Sequence, residues 1–287
     1  MTPPNPQIIL ITGTSSGFGL LIAARLASYG HKVVATMRDL AKKDALLKEV
    51  EKRGGKIDIL PLDVTDPISI QKAVSEAIHR YKKIDVLVNN AGFGMGGAFE
   101  DLSQEDIREQ MEANFFGAQN VIRAVLPFMR GQKKGRIINI SSMAGLKSTP
   151  CLGAYNASKW ALEGFSESLY YELKFFGIDV VLVEPGTYKT KIFNQNARYA
   201  HDFDNPRSPY YAISQYLKNK MMNYTNHCKK DPEKVAALVE RLILARNPPF
   251  RNFPDIEVRF LIGLRRILPF KVFSWMIRKG LFGGFKF

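Results

Sequence analysis

Cysteine is scarce in this chain: 287 residues contain two, Cys151 and Cys228. Two thiols do not make a disulfide framework, and no metal-ligand spacing accompanies them, so a reducing compartment is the simplest expectation. Histidine is nearly as sparse. His31, His79, His201 and His227 stand far apart, and no metal site is expected. Long hydrophobic runs are missing too. No stretch approaches the ~18 apolar residues of a membrane-spanning helix. The opening MTPPNPQIILITG has no basic n-region and only the short run IILI, so it does not read as a secretory leader. The expectation is a cytoplasmic protein. Repeats and low-complexity segments are absent. With 46% hydrophobic and 24% charged residues, the composition is that of a globular protein with a sizeable core.

Negative charge is in deficit as well. Against 41 Lys and Arg stand 27 Asp and Glu, leaving a net +14. Such a balance points to nucleic acid, a membrane surface or an anionic small molecule. Nucleic acid accounts for the charge but for none of the motifs below, so it is not an expected partner. The excess is uneven: residues 256–287 hold seven Lys or Arg and a single Glu. Wound as a helix, Phe260, Leu261, Leu264, Ile267 and Leu268 share one face, while Arg259, Arg265 and Arg266 fall elsewhere. Pro269 breaks that helix. Beyond it, Val272, Phe273, Met276 and Ile277 make a second apolar face, with Lys271 and Arg278 opposite. Basic amphipathic helices rich in Phe, Leu and Trp lie in membrane interfaces. Two readings stand: a peripheral dock on anionic membrane, or packing against the chain's own domain or a second subunit. We set 256–287 apart as a C-terminal extension of a domain over 1–255.

What the sequence has in quantity is alternation. Short Val/Ile/Leu runs at 7–12, 32–36, 57–62, 84–90, 135–141 and 178–185 read as strands buried on both faces. Between them, 18–29, 40–53, 67–81, 104–130 and 154–176 carry helical periodicity. Asp66-Pro67 and Asp231-Pro232 each read as an N-cap followed by proline at the first helical position. This alternation predicts an α/β fold, a Rossmann-like doubly wound parallel sheet in a single domain. After residue 186 the pattern lapses. Residues 187–230 are polar and rich in Tyr, with helices expected over 209–224 and 232–246. Ligands of open α/β sheets bind beyond the carboxyl ends of the strands, so 187–230 is expected to form a lid.

The turn after the first run, TGTSSGFG at 12–19, spaces its glycines G-x-x-x-G-x-G. Glycine permits a tight turn and close backbone approach to a pyrophosphate, and the following helix offers its N-terminus to the anion. Between a strand and an amphipathic helix, this turn predicts a dinucleotide site formed by Gly13, Ser15, Ser16, Gly17, Phe18 and Gly19. The bland alternative is a plain turn. The second run ends VVATMRDL. Acid there favours NAD, and base favours NADP. Thr36 and Met37 offer no carboxylate, whereas Arg38 can grip a 2′-phosphate bidentately. Asp39 either pairs with Arg38 or caps the next helix. The expected cofactor is NADP, with NAD the alternative and an ordinary surface arginine the bland reading of Arg38.

A Tyr and a Lys four apart on a helix share one face. The chain has three such pairs: Tyr155/Lys159, Tyr170/Lys174 and Tyr216/Lys220. Spacing alone does not choose among them. The chemistry that would use one is definite. A free phenol, with a pKa near ~10, is a poor base at neutral pH. A neighbouring ammonium stabilises phenolate and brings that pKa toward the operating range. Carbonyl reduction also needs a hydride donor and a group that holds the developing alkoxide.

TGTSSGFG at 12–19, DVTD at 63–66, NNAG at 89–92, Asn114 in EANFFG, INISSMAG at 138–145, YNASK at 155–159 and PGTYKT at 185–190 follow one another. Taken together they resemble the short-chain dehydrogenase/reductase family, over about residues 7–190. The resemblance implies a serine thirteen residues before the catalytic tyrosine. Ser142 stands there before Tyr155, whereas Ala157 and Phe203 precede the other two tyrosines. It therefore implies a catalytic set of Asn114, Ser142, Tyr155 and Lys159, with Asn114 holding water in a proton relay to Lys159. The other two pairs revert to exposed helix polars. The resemblance also implies cofactor contacts at Asp63 and Val64 near the adenine. Asn90 would contact a cofactor ribose and brace the fourth strand, Ala91, Gly92, Tyr155 and Lys159 would also bind the cofactor, and Pro185, Gly186 and Thr190 would form the nicotinamide-side loop. Two departures stand out: Ser15 and Ser16 replace the Arg or Lys of many NADP enzymes, and Tyr188-Lys189 fills a usually small or acidic gap.

Within the family, ATMRDL and the long region after the sixth run resemble the retinol and hydroxysteroid dehydrogenase branch. That implies a lipophilic alcohol or carbonyl substrate. Phe193, Tyr199, Phe203, Tyr210 and Tyr211 are candidate apolar walls, or else they pack the lid onto the core. A small polar carbonyl substrate is the alternative within the same chemistry, and a non-catalytic NADP(H)-binding sensor or scaffold is the alternative of another class. The family's habit implies a homodimer or homotetramer.

Overall fold

The computed structural model describes residues 6–190 and 197–285; Phe193 lies outside them. The six apolar runs form strands β1 (Ile8–Ile11), β2 (Lys32–Met37), β3 (Ile57–Pro61), β4 (Val86–Asn89), β5 (Gly135–Ile140) and β6 (Ile178–Val183). A two-residue strand, β7 (Arg251–Asn252), pairs with the end of β6. All pairings are parallel, in the order β3-β2-β1-β4-β5-β6-β7.

Strand residues alternate between two cores. On one face Ile9, Ile11 and Val33 meet Ile22, Ala23 and Leu26 of α1 (Gly17–Ser28) and Val235, Ala236 and Val239 of α8 (Glu233–Leu244). Leu46 and Val50 of α2 (Asp44–Lys52) join this cluster. On the other face Leu10, Val34 and Leu87 meet α3 (Pro67–Tyr81), α5 (Gly117–Gly131) and α6 (Gly153–Lys174) through Val74, Val125 and Leu169. Helices on both faces explain why the strands read as unbroken apolar runs.

The stretch expected as one helix over 104–130 is interrupted. It forms α4 (Gln104–Met111), a π turn over Glu112–Phe116, and α5. Ser103 and Asp106 close a capping box at the start of α4. The sequence period does not register the extra residue that widens the turn, and such turns recur at functional sites. Asp66 caps α3 by accepting from the Ile68 amide, 2.9 Å, with Pro67 at the first position. At the second Asp-Pro, Pro232 itself is the cap, and Asp231 accepts from the Glu233 amide at 2.9 Å.

Beyond β6 the chain returns over the loop that follows β4. Met95–Gly96 and Arg198–Tyr199 form a small parallel pair, and α7 (Tyr211–Asn226) follows. The C-terminal segment forms α9 (Ile256–Ile267) and α10 (Phe270–Phe282), separated at Leu268-Pro269. Its inward residues are Val258, Ile262 and Phe273. The apolar faces expected from the sequence are thus split, because Phe260, Ile267, Val272 and Met276 point outward. The Tyr216/Lys220 pair, expected as exposed helix polars, makes contacts of its own. Lys220 donates to the Gly280 and Leu281 carbonyls, both at 2.8 Å, and Tyr216 meets Phe285 with ring centroids 4.9 Å apart. Together they fasten the end of α10 to α7.

Candidate active site

The strand order reverses between β1 and β4, and a crevice opens there at the carboxyl ends of the strands. Thr12 and Asn90 build it. The Thr12 hydroxyl accepts from the Asn90 and Ala91 amides at 3.0 and 3.1 Å. Asn90 Nδ2 donates back to the Thr12 and Gly13 carbonyls at 3.0 and 2.9 Å. The backbones come so close that a Cβ on Gly13, whose φ is +70°, would lie 2.7 Å from the Ala91 Cα. Gly19 serves the same packing, since a Cβ there would meet Asn90 Nδ2 at 2.3 Å.

A cleft of about 840 Å³ runs from this crossing to the end of β2. Gly13, Ser15, Ser16, Gly17 and Phe18 line one side, and Asp63, Val64, Asn90, Ala91 and Gly92 line the other, with Arg38 at the far end. A chamber of about 60 Å³ adjoins it, bounded by Asn114, Ser142, Tyr155, Lys159, Pro185, Gly186 and Thr190. Of the residues expected to be catalytic or to hold the cofactor, Gly19 alone touches neither space. Its place is in the packing beneath them.

The far end of the cleft is basic. Arg38 is largely exposed, its Nε 3.9 Å from Asp63 Oδ2. Asp63 is held in its turn by the Thr65 amide and hydroxyl, at 3.0 and 2.8 Å. Asp39 caps the following turn through the Ala41 amide, 3.0 Å. Thr36 is buried and donates to the Ile11 carbonyl at 3.0 Å. Lys42, which sequence reasoning did not single out, also lines the cleft. The near end presents the N-terminus of α1, which has no acidic residue in its first turn. A Cβ at Gly17, φ +60°, would meet only Thr190 Cβ, at 3.9 Å. Backbone amides, open space above Gly17 and two distal cations fit a phosphorylated dinucleotide.

In the chamber, the Ser142 hydroxyl accepts from the Ala144 amide at 3.1 Å and is hydrogen-bonded with Tyr155. Burial pushes the Tyr155 phenol up to about 12, and the bond with Ser142 opposes that rise. Lys159 donates to the Ile140 carbonyl at 3.0 Å, and burial pulls its ammonium down to about 8, opposed by the Glu163 carboxylate. The expected lowering of the phenol by its lysine neighbour is therefore not what the protein alone displays. Both side chains are enclosed, and desolvation of each charged form dominates.

Asn114 sits in the π turn, its side chain gripping the loop after β4. It accepts from the Phe93 amide and donates to the Phe93 carbonyl, both at 3.0 Å, and donates to Ser158 Oγ at 3.1 Å. Among the described residues no hydrogen bond joins its amide to Lys159. The chamber's aromatic lining is Phe18, Phe93, Tyr155 and Tyr188, none of them among the apolar walls expected from the sequence. Tyr199 and Phe203 stack on each other, with centroids 4.5 Å apart, and Tyr210 donates to Glu100 at 2.7 Å. These aromatics, and Tyr211 at the start of α7, line neither space.

Two supports carried no sequence signal. Asp255, just before α9, accepts from the Gly186 amide at 3.0 Å and from the Tyr188 hydroxyl at 2.8 Å, fixing the 185–190 loop. Beneath Ser142, Glu163 accepts from Ser141 and from Arg251, the latter at 2.6 Å, and Arg251 also donates to Glu184 at 2.7 Å.

This fold and this gathering of side chains define an oxidoreductase of the Rossmann-like α/β class. Residues 7–200 match the family model described as short chain dehydrogenase. A 3-ketodihydrosphingosine reductase of Bacteroides thetaiotaomicron is 40% identical over 266 residues, covering 89% of this chain and 91% of that protein. Retinol dehydrogenase 8 of Homo sapiens is 36% identical over 270 residues, covering 91% and 86%. A short-chain dehydrogenase structure from Streptomyces avermitilis superposes with a TM-score of 0.80 at 31% identity, covering 99% of this chain and 100% of that one. Solved neighbours include complexes with NAD and with NADP. The chain belongs to the short-chain dehydrogenase family.

Proposed function

We propose that this protein interconverts a lipophilic alcohol and its carbonyl with NADP(H). The observation that carries the reading is the adjoining pair of spaces. A cleft with cations at its ribose end leads into a chamber where Tyr155, Ser142 and Lys159 face one another. When bound, the nicotinamide supplies or accepts the hydride. Tyr155 gives its proton to the carbonyl oxygen, Ser142 donates to that oxygen as charge develops, and the Lys159 ammonium stabilises the phenolate left behind. Asn114, on the same chamber, supports the relay that returns the proton. The aromatic lining and the relatives named for a ketosphingoid and a retinol favour a lipophilic substrate, with an anionic membrane surface as its source. The family's habit favours a homodimer or homotetramer.

NADP over NAD rests on Arg38, with Lys42 on the same cleft and Asp39 engaged by the Ala41 amide and by Lys42 Nζ, 3.8 Å away. A charge-assisted contact is worth roughly 1.5–3 kcal/mol, so Arg38→Ala is expected to weaken NADPH about 10- to 100-fold. NADH affinity should hardly change. Tryptophan-quenching titrations of wild type and variant with both cofactors read this directly. Equal weakening of NADPH and NADH would refute the assignment. A panel of retinoid, steroid, long-chain and small polar carbonyls then tests the substrate class, and turnover confined to the polar ones would replace the lipophilic reading.

The pH profile follows from Lys159. Its protonated form is the useful one, and it is lost as pH rises through about 8. Reductive kcat/KM is therefore expected to be flat below that value and to fall above it. Glu163→Gln removes a carboxylate that favours the ammonium, so the falling limb should move to lower pH. A limb that stays in place in that variant would mean another group is titrating.

A further inference from the structure

The α9–α10 pair shows two faces. Toward the protein, Val258, Ile262 and Phe273 are buried, and Arg265 donates to the Leu146 carbonyl while lying 4.9 Å over the Trp160 ring. On the opposite side of α9, positions 256, 260 and 267 recur at helical spacing and form one stripe. They are Ile256, Phe260 and Ile267, 82%, 67% and 81% exposed. Phe270 continues the stripe at the start of α10, 76% exposed, and Trp275 adds an indole, 61% exposed.

The charge around this apolar stripe is of one sign. Arg259, Arg266, Lys271, Arg278 and Lys279 are exposed along it. None of the five pairs with a carboxylate among the described residues. The single acid of the segment, Glu257, is neutralised by Lys230 at 3.2 Å. Lys279 lies 5.2 Å over the Trp275 ring, so cation and indole share one patch. Apolar side chains flanked by unpaired cations suit an interface of acyl chains and anionic headgroups. A second copy of the chain suits it poorly. A two-fold contact would set this cationic face against itself, and the cores of protein interfaces are depleted of charge.

We infer that the outward face of α9–α10 docks the protein on anionic lipid bilayers. Ile256, Phe260, Ile267, Phe270 and Trp275 enter the headgroup–acyl boundary, and the five cations lie among the headgroups. The inference gives a surface to the membrane contact proposed above and rests on that reading only for its purpose. Docking stands or falls without reference to substrate.

The test is co-sedimentation of the full chain with vesicles of phosphatidylcholine alone and of phosphatidylcholine mixed with phosphatidylserine. Binding is expected to the mixed vesicles only, to fall with salt, and to shift the Trp275 emission to the blue. Each cation near an anionic surface contributes severalfold, so Arg259→Gln/Arg266→Gln/Lys271→Gln should weaken partitioning roughly 100-fold. Phe260→Ser/Ile267→Ser, at exposed positions, should abolish it while leaving circular dichroism and turnover of a water-soluble carbonyl unchanged. Failure to bind mixed vesicles, or equal binding to both kinds, overturns the inference. So does an oligomer that Phe260→Ser/Ile267→Ser dissolves and that hides the face from vesicles. If lipophilic carbonyls are not turned over but mixed vesicles are bound, the substrate reading fails and the docking face survives.

Discussion

Tyr155→Phe is expected to lower carbonyl reduction by about 10³-fold, within the usual range for loss of a positioned proton donor, while NADPH binding stays near wild type. The change removes one oxygen from a side chain that is 3% exposed and leaves the ring in place. The hydroxyl is hydrogen-bonded with Ser142, so its loss leaves a serine that still accepts from Ala144. Stability should therefore change little, and the defect should lie in kcat rather than in cofactor affinity. The direction of the phenol's shift sharpens this. Held up to about 12, Tyr155 is neutral at pH 7 and ready to donate. Alcohol oxidation needs the phenolate instead, so the oxidative rate of the wild type should climb with pH while the reductive rate does not. Steady-state rates in both directions, with NADPH titrations on each protein, give the comparison. A variant that keeps more than a tenth of the reductive rate would remove Tyr155 from the chemistry.

The parts of this molecule that were legible in its sequence are those whose physics is local. Strands β1 to β6 wrote themselves as unbroken Val/Ile/Leu runs because helices bury both of their faces. The glycine turn was readable because Gly13 and Gly17 hold positive φ values that other residues resist. Ser142, Tyr155 and Lys159 were readable because their motifs arrive in a fixed order. What escaped is built from residues distant in the chain. Strand β7 pairs two residues only, and its work is polar: Asn252 Nδ2 donates to the Leu182 and Pro249 carbonyls at 3.1 and 2.7 Å. Asp255 stands just before a helix without capping it by its side chain, and its carboxylate turns back to Gly186 and Tyr188. The C-terminal helices show their inward face only in the fold, because a basic segment rich in Leu, Ile and Phe offers several stripes and tertiary contact selects Val258, Ile262 and Phe273. The lysine–tyrosine electrostatics escaped for a related reason: spacing announces proximity, while burial decides the cost of each charge.

Arg251→Ala should be the most damaging single change to stability, and its cost should grow with pH. Arg251 reaches Glu163 and Glu184 with one nitrogen and Glu167 with another, at 2.6, 2.7 and 3.2 Å. Glu184 is fully enclosed and Glu163 nearly so. Burial and then the repulsion of Glu163 hold the Glu184 carboxyl up to about 8, against an ordinary 4.5, even with the guanidinium present. Removing one partner of a buried ionic cluster typically costs about 3–5 kcal/mol, since the remaining charge stays desolvated. Here the acids escape part of that penalty by keeping their protons. A carboxyl whose folded pKa is raised stabilises the fold fully below its unfolded pKa and loses that contribution as pH rises through the folded value. In wild type that loss spans pH 4.5 to about 8 for Glu184. Without Arg251 the folded pKa rises further, the window widens, and each added unit costs about 1.4 kcal/mol per proton. Urea unfolding at pH 5.5 and pH 8 should therefore show a larger deficit at the higher pH, opposite in sign to ordinary acid unfolding. Glu184→Gln in the same background should recover part of the pH 8 deficit, because an amide has no charge to bury. An equal deficit at both values would mean that Arg251 holds β7 by packing alone. A deficit that follows pH would place the support of Ser141, and of the Ser142 and Lys159 beside it, on a charge cluster whose members lie 88 and 67 residues apart in the chain.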